Sequence, residues 1–303
     1  MKNLALFSCF ICLMFVSLQM SAQSDPMFSH YMFNTLRMNP GYAGSADMLS
    51  INIASRHQWI GFDGAPCTQT LTVHTPLNKS LAAGLTILND AVGPQKRMAL
   101  EANFAYHLRV SEKSRLSLGL MAGVSNMKLN LIGLEGISIM DAAFQEDINS
   151  YKPVFGAGLY FYHPNAFIGF SVPDLLETEY TTQGSTWKHD RHYYLTGGYA
   201  FVFSDNFTFR PTAMLRYAMN SPISAEITAS TIIKQRFWLG LLYRYDDAIG
   251  AMLGIQINNQ LRIGYSYDYS ISELSGFQSG SHEIMLSYDF SFGKSDMVSP
   301  RYF

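Results

Sequence analysis

Leu261-Arg262-Ile263-Gly264-Tyr265-Ser266-Tyr267-Asp268-Tyr269-Ser270 is the stretch whose reading decides the fold. Leu261, Ile263, Tyr265, Tyr267 and Tyr269 fall on one side of an extended chain, and Arg262, Gly264, Ser266, Asp268 and Ser270 on the other. A period of two is the signature of a strand with one apolar and one polar face. The pattern recurs. Ile284, Leu286, Tyr288, Phe290 and Phe292 alternate with Glu283, Met285, Ser287, Asp289 and Ser291. Met98, Leu100, Ala102, Phe104, Tyr106 and Leu108 alternate with Ala99, Glu101, Asn103, Ala105, His107 and Arg109. Phe207, Phe209, Ala213, Leu215 and Tyr217 alternate with Thr208, Arg210, Thr212, Met214 and Arg216.

Working outward, the chain predicts about fourteen strands, over 48–57, 67–75, 80–89, 97–109, 115–129, 154–162, 166–173, 191–203, 206–217, 223–233, 237–245, 249–257, 260–269 and 281–292. Most are about ten residues long, the length at which a tilted strand crosses hydrocarbon. A soluble sandwich would turn the apolar face inward, whereas an outer-membrane barrel turns it toward lipid. The connections discriminate. Short turns at 76–79, 110–114, 163–165, 204–205, 234–236 and 258–259 alternate with longer loops at 58–66, 90–96, 130–153, 174–190 and 270–280, the asymmetry of bacterial barrels; 218–222 and 246–247 are short exceptions. The expected fold is all-β, an antiparallel outer-membrane barrel with both termini on the periplasmic side.

Composition agrees. The 303 residues are 48% hydrophobic but only 15% charged, against about 25% charged in an ordinary soluble protein. After the first two dozen residues no run reaches the roughly 18 apolar positions a spanning helix needs. A net charge of −2 offers no basic field for nucleic acid. Lys2, the apolar run from Leu4 to Leu18, and Met20-Ser21-Ala22 read as a secretory signal over 1–22. Its removal leaves Cys67 as the single thiol, so no internal disulfide is available. The expected organisation is then a non-barrel segment over 23–47, a barrel over 48–292 and a periplasmic tail over 293–303.

A cation facing lipid at the bilayer midplane costs about 2–4 kcal/mol, so charges assign the lumen side. Glu101, His107, Arg109, Arg210, Arg216, Glu226, Arg244, Arg262, Asp268, Glu283 and Asp289 oppose the apolar series and are expected to line the lumen. Catalytic patterns are scarce. Gly169-Phe170-Ser171-Val172-Pro173 lacks the closing glycine of a nucleophile elbow. His189, Asp190 and His192 have no metal-ligand spacing, and His282 and Glu283 point to opposite faces of a strand. Gly156-Ala157-Gly158 lacks the third glycine and helix of a dinucleotide fingerprint. Neither an enzyme nor a bound cofactor or metal is expected.

Two segments stand apart. The first runs Asp25-Pro26-Met27-Phe28-Ser29-His30-Tyr31-Met32-Phe33-Asn34 and continues through Asn39-Pro40-Gly41-Tyr42-Ala43-Gly44; the second runs Arg56-His57-Gln58-Trp59-Ile60-Gly61-Phe62-Asp63-Gly64-Ala65-Pro66. With Asp90 to Gly93, Gly264 to Asp268, Gly280 to Glu283 and the closing Ser299-Pro300-Arg301-Tyr302-Phe303, these phrases resemble the PorP/SprF family of type IX secretion outer-membrane proteins across nearly the whole chain after the signal. Cys67 stands where the family's threonine often follows Gly-Ala-Pro. The resemblance implies a noncatalytic component of the secretion and gliding machinery of Bacteroidota. Implied partners are periplasmic ring lipoproteins and a peptidoglycan-linked protein of PorK, PorN or PorE type, and a secreted adhesin with a type B C-terminal signal. Residues 25–44 are too apolar for a free tail and read as an ordered periplasmic or lumen-inserted segment. Phe28, Tyr31, Phe33, Asn34, Asn39, Pro40, Tyr42, Trp59, Phe62 and Asp63 are the candidate partner-binding residues. The rival reading is a diffusion or uptake barrel for small solutes.

Overall fold

The computed structural model describes residues 25–132, 146–181, 186–219 and 221–290. The signal over 1–22, the tail over 293–303, positions 291–292 of the last predicted strand and the interior of the 130–153 loop fall outside them. The strands are β1 Leu49–His57, β2 Cys67–Pro76, β3 Leu81–Val92, β4 Gln95–Arg109, β5 Arg115–Leu129, β6 Ile148–His163, β7 Ala166–Val172, β8 Thr178–Thr181, β9 Thr186–His189, β10 His192–Tyr199, β11 Phe201–Ser204, β12 Phe207–Ala218, β13 Ser224–Ile233, β14 Phe237–Arg244, β15 Ala248–Gln256, β16 Leu261–Ser270 and β17 Ser281–Phe290. β8 and β9 form a separate hairpin. The others pair antiparallel with their sequence neighbours, β7 reaches β10, and β10 with its short continuation β11 pairs with β12. β1 then closes on β17, Leu49 opposite Phe290 and His57 opposite His282. The result is a closed fourteen-strand barrel, as the alternation requires.

The two faces separate by polarity in the predicted sense. On β4, Met98, Leu100, Phe104, Tyr106 and Leu108 are exposed while Ala99, Glu101, Asn103 and His107 are buried. Leu120 on β5 is 67% exposed, an arrangement stable only against acyl chains. The outward apolar band from Met98 to Leu108 spans roughly 25 Å at a barrel-like tilt. Among the described residues no helix is long and apolar enough to cross a membrane.

Several boundaries differ from the sequence reading. The predicted 90–96 loop is a two-residue turn, because β3 runs on to Val92, β4 starts at Gln95, and Gly93 adopts a left-handed φ of 54° that closes the turn. β6 begins at Ile148, with Pro153 facing Val124 inside the ladder. Arg56 and His57, which open the second unusual phrase, end β1 within the predicted 48–57 strand. One end of the wall carries the short connections between β2 and β3, β4 and β5, β6 and β7, β11 and β12, β13 and β14, and β15 and β16. The opposite, loop end carries 58–66, the β8–β9 hairpin and 271–280.

Candidate functional site

The lumen is where the two unusual groups of residues meet. Residues 25–48 are not wall. They include one helical turn over Thr35–Met38 and a 3-10 turn over Pro40–Tyr42, and most of their side chains are buried. Their partners lie on strands all round the ring, which places the segment inside the barrel. At the loop end, Arg37 Nη2 sits 3.3 Å from Asp25 Oδ1, Arg97 Nη1 lies 3.7 Å from the same carboxylate, and Arg97 Nη2 is 3.4 Å from Asp174. Tyr194 donates to Asp25, and Arg216 Nη1 donates to its backbone oxygen at 2.9 Å. Asp174 also meets His189 Nε2 at 3.1 Å.

Burial alone would raise the Asp25 carboxyl, but Arg37, His192 and Arg97 overcome it and hold it near 2. Asp174 is depressed in the same way: its burial is outweighed by Arg97 and by the His189 hydrogen bond. Carboxylate and imidazole atoms of Asp25, Asp174 and His189 come within 4.8 Å of one another, a spacing that could hold a cation. The two guanidinium groups of Arg37 and Arg97 already supply the countercharge there.

A second cluster centres on Arg56. Its Nη1 donates to Ser29 Oγ at 2.7 Å and its Nη2 to Asp268 Oδ2 at 2.7 Å, with Glu283 Oε2 3.4 Å away. Ser29 Oγ donates to Asp268 at 2.6 Å, while the Ser29 and His30 backbone N–H groups donate to Glu283 at 2.7 and 2.9 Å. Arg244 joins from the side, bonded to Glu226 at 2.8 Å and to Asp247 at 3.0 Å. Arg56 thus pins two wall carboxylates and the inserted segment at one point. Nearer the turn end, the guanidinium groups of Arg262 and Arg210 lie over the Phe33 ring at 5.0 and 5.5 Å, and Arg262 also stacks 4.5 Å over Trp238.

Toward the turn end the segment is held by close approach. Asn39 Nδ2 donates to the Leu159 carbonyl at 2.9 Å, and Pro40–Gly41 lies so near Gly119 that a methyl group there would collide with the Gly41 backbone. Tyr42 packs edge-on against His74 and Tyr160. His107 Nε2 donates to the Ala43 carbonyl at 2.9 Å, and its Nδ1 accepts from Tyr162 OH at 3.1 Å. Asp47 meets Arg115 at 3.3 Å where the chain enters β1.

Of the expected lumen charges, Glu101, Arg210, Arg216, Glu226, Arg244, Asp268 and Glu283 are buried on the inner face, and Arg262 and Asp289 are partly exposed inside the turn-end mouth. Arg109 is a correction. It ends β4 and is exposed at the rim, where Nε reaches the Ser111 carbonyl at 3.3 Å. Phe28, Tyr31, Asn34, Asn39, Pro40 and Tyr42 are corrections too: all are buried against the wall, and Phe33 is half-buried, so their surfaces are spent on the barrel rather than offered to another protein. Tyr31 OH donates to Thr212 and Asn34 Nδ2 to Thr70. Phe62 and Asp63 are exposed and Trp59 is half-exposed on a loop tied to the next one by Ile60 N–H to Gly280 O at 2.9 Å and Ser279 N–H to Ile60 O at 2.8 Å.

The first and last described residues lie at opposite ends of the wall. Asp25 lies level with Arg97, at the loop end, whereas Phe290 ends β17 at the turn end. Sequence reasoning missed Arg37, Arg56, Arg97 and Asp174. Arg56 and Arg97 were accessible to it, because each continues the inward series of its strand; Arg37 and Asp174 sit outside any alternation.

A closed barrel with lipid-facing apolar side chains and a lumen filled by its own leading segment defines an outer-membrane β-barrel protein. The description of type IX secretion system membrane protein PorP/SprF matches residues 20–288, and the chain belongs to that family. None of the curated proteins compared with it matches. Among solved structures, a Pseudomonas aeruginosa FadL homologue is similar in fold at 12% identity and a TM-score of 0.50, over 89% of this chain and 96% of that one. The CymD monoaromatic hydrocarbon channel is similar at 12% identity and a TM-score of 0.53, over 90% of this chain and 95% of that one.

Proposed function

We propose that this barrel is a sealed, noncatalytic anchor of the type IX machinery, acting through its two ends rather than through its lumen. The observation that carries the reading is the inserted segment, fixed by the Asp25–Arg37–Arg97 and Ser29–Arg56–Asp268–Glu283 clusters across the ring. A cavity beside it, lined by His30, Phe33, Arg210, Trp238, Met252 and Met285, holds about one water's volume. That cavity is too small to pass a solute. In this reading the turn end faces the periplasm and meets ring lipoproteins and a peptidoglycan-linked protein of PorK, PorN or PorE type. The joined loops around Phe62 and Phe277 face outward and hold a secreted adhesin.

Conductance tests the choice between anchor and diffusion barrel. The purified protein in a planar bilayer is expected to stay closed, and a variant lacking residues 25–44 to conduct, provided both retain heat-modifiable migration. Steady conductance by the intact protein would favour the solute-barrel reading instead.

A further inference from the structure

The outer face of the wall carries a pairing that its own residues do not balance. Lys96 on β4 and Lys128 on β5 stand directly opposite each other, and both are exposed. Their row continues to Ala91 on β3 and Asn149 on β6. The next row toward the apolar band is Asn89, Met98, Asn126 and Tyr151. Neither row contains a carboxylate. Like charges directly opposed across a ladder destabilise it, and an anion lying between the two ammonium groups would relieve that repulsion.

The position specifies the anion. Met98 is 58% exposed and Tyr151 68% exposed, with Leu100 and Val124 one row deeper, so the pair stands where hydrocarbon gives way to headgroups. Asn126 and Asn149, joined by a 2.8 Å amide hydrogen bond, add neutral polar groups at the same height. We propose that Lys96 and Lys128 clamp a phosphate of a phosphorylated glycolipid headgroup in the outer leaflet, with its acyl chains lying along Met98, Leu100 and Val124. Each ammonium donates to a different phosphate oxygen, a charge-assisted contact. The assignment rests on the loop end facing outward.

The test uses the full-length protein purified in micelles and three probes: lipid A carrying its phosphates, the same lipid A after enzymatic dephosphorylation, and inorganic phosphate. Bound lipid is read by native mass spectrometry. The intact protein is expected to retain phosphorylated lipid A over the dephosphorylated form, and Lys96→Gln/Lys128→Gln to lose that retention by about fivefold or more, since each lysine beside an anionic headgroup contributes about fivefold. Lys79→Gln/Lys113→Gln, at exposed turns of the other end, is expected to bind as the intact protein does. Equal retention by the intact protein and the Lys96/Lys128 variant, or equal retention of the two lipid forms, would overturn the proposal. So would displacement of the lipid by inorganic phosphate alone, which assigns the site to a free anion. Unchanged heat-modifiability excludes misfolding as the cause. Micelle binding does not depend on which way the barrel faces, so its failure is separable from a failure of the assumed orientation.

Discussion

A single methyl group decides whether the lumen can be filled. Gly119 and Gly158 face inward where Asn39, Pro40 and Gly41 cross, and a Cβ at either would collide with that segment. Gly119→Ala is therefore expected to loosen residues 25–44 while leaving the wall intact; faster protease cleavage of the leading segment at unchanged heat-modifiability is the readout, and unchanged cleavage would refute it. Arg56 is the complementary case. Replacing it by Met removes the cation shared by buried Asp268 and Glu283, leaving them Arg244 at 3.8 Å and His30 at 3.0 Å, a loss of up to about 3–5 kcal/mol, visible as a lower unfolding midpoint in denaturant. Arg109→Met, at the exposed rim, is expected to shift stability by no more than about 0.5 kcal/mol.

At the scale of elements, strands and inserted segment obey different rules, and that is why one was legible and the other was not. Lipid on one side and a polar interior on the other force a period of two, so the β4, β12, β16 and β17 faces could be assigned from their spelling. The leading segment has no period, since it is surrounded by wall on every side; its aromatic content announced order but not a location. The same blindness moved Phe28, Tyr31 and Tyr42 from an imagined partner surface to the interior. The loop-end latch has its own pH signature. The Asp25 carboxyl, held near 2 against an ordinary value of 3.8, contributes fully above about pH 4 and loses its contribution as the pH falls toward 2. A probe on a cysteine introduced at Met27 is expected to gain accessibility through that window. Protection unchanged down to pH 2 would argue that Asp25 is not what holds the latch.

For the whole molecule, the connections make the two ends chemically unequal. Short turns close one end, and the joined loops at 58–66 and 271–280 build a platform with exposed Ile60, Phe62 and Phe277 at the other. With that platform outward, a membrane-impermeant maleimide is expected to label Asp63→Cys in intact cells and Lys79→Cys only after the outer membrane is opened, in a Cys67→Ser background. The reverse pattern would invert the assignment of partners to ends. The wall is uneven as well. β4, β5 and β6 have 15, 15 and 16 residues, against 8 in β14 and 9 in β15. The lysine pair stands on this taller side.

The direction in which the leading segment threads the ring constrains how the protein can be built. Asp25 is near one mouth, yet the chain passes Gly41 and Asp47 before β1 rises from the other, and the seam between the first and last strands joins β1 to β17. A finished cylinder would have to admit a bulky, charged strand of chain end-on. A curling sheet need not: residues synthesised first can lie in the open trough and be enclosed as the final hairpin zips shut, so the filler serves as the mandrel around which the cylinder is wound.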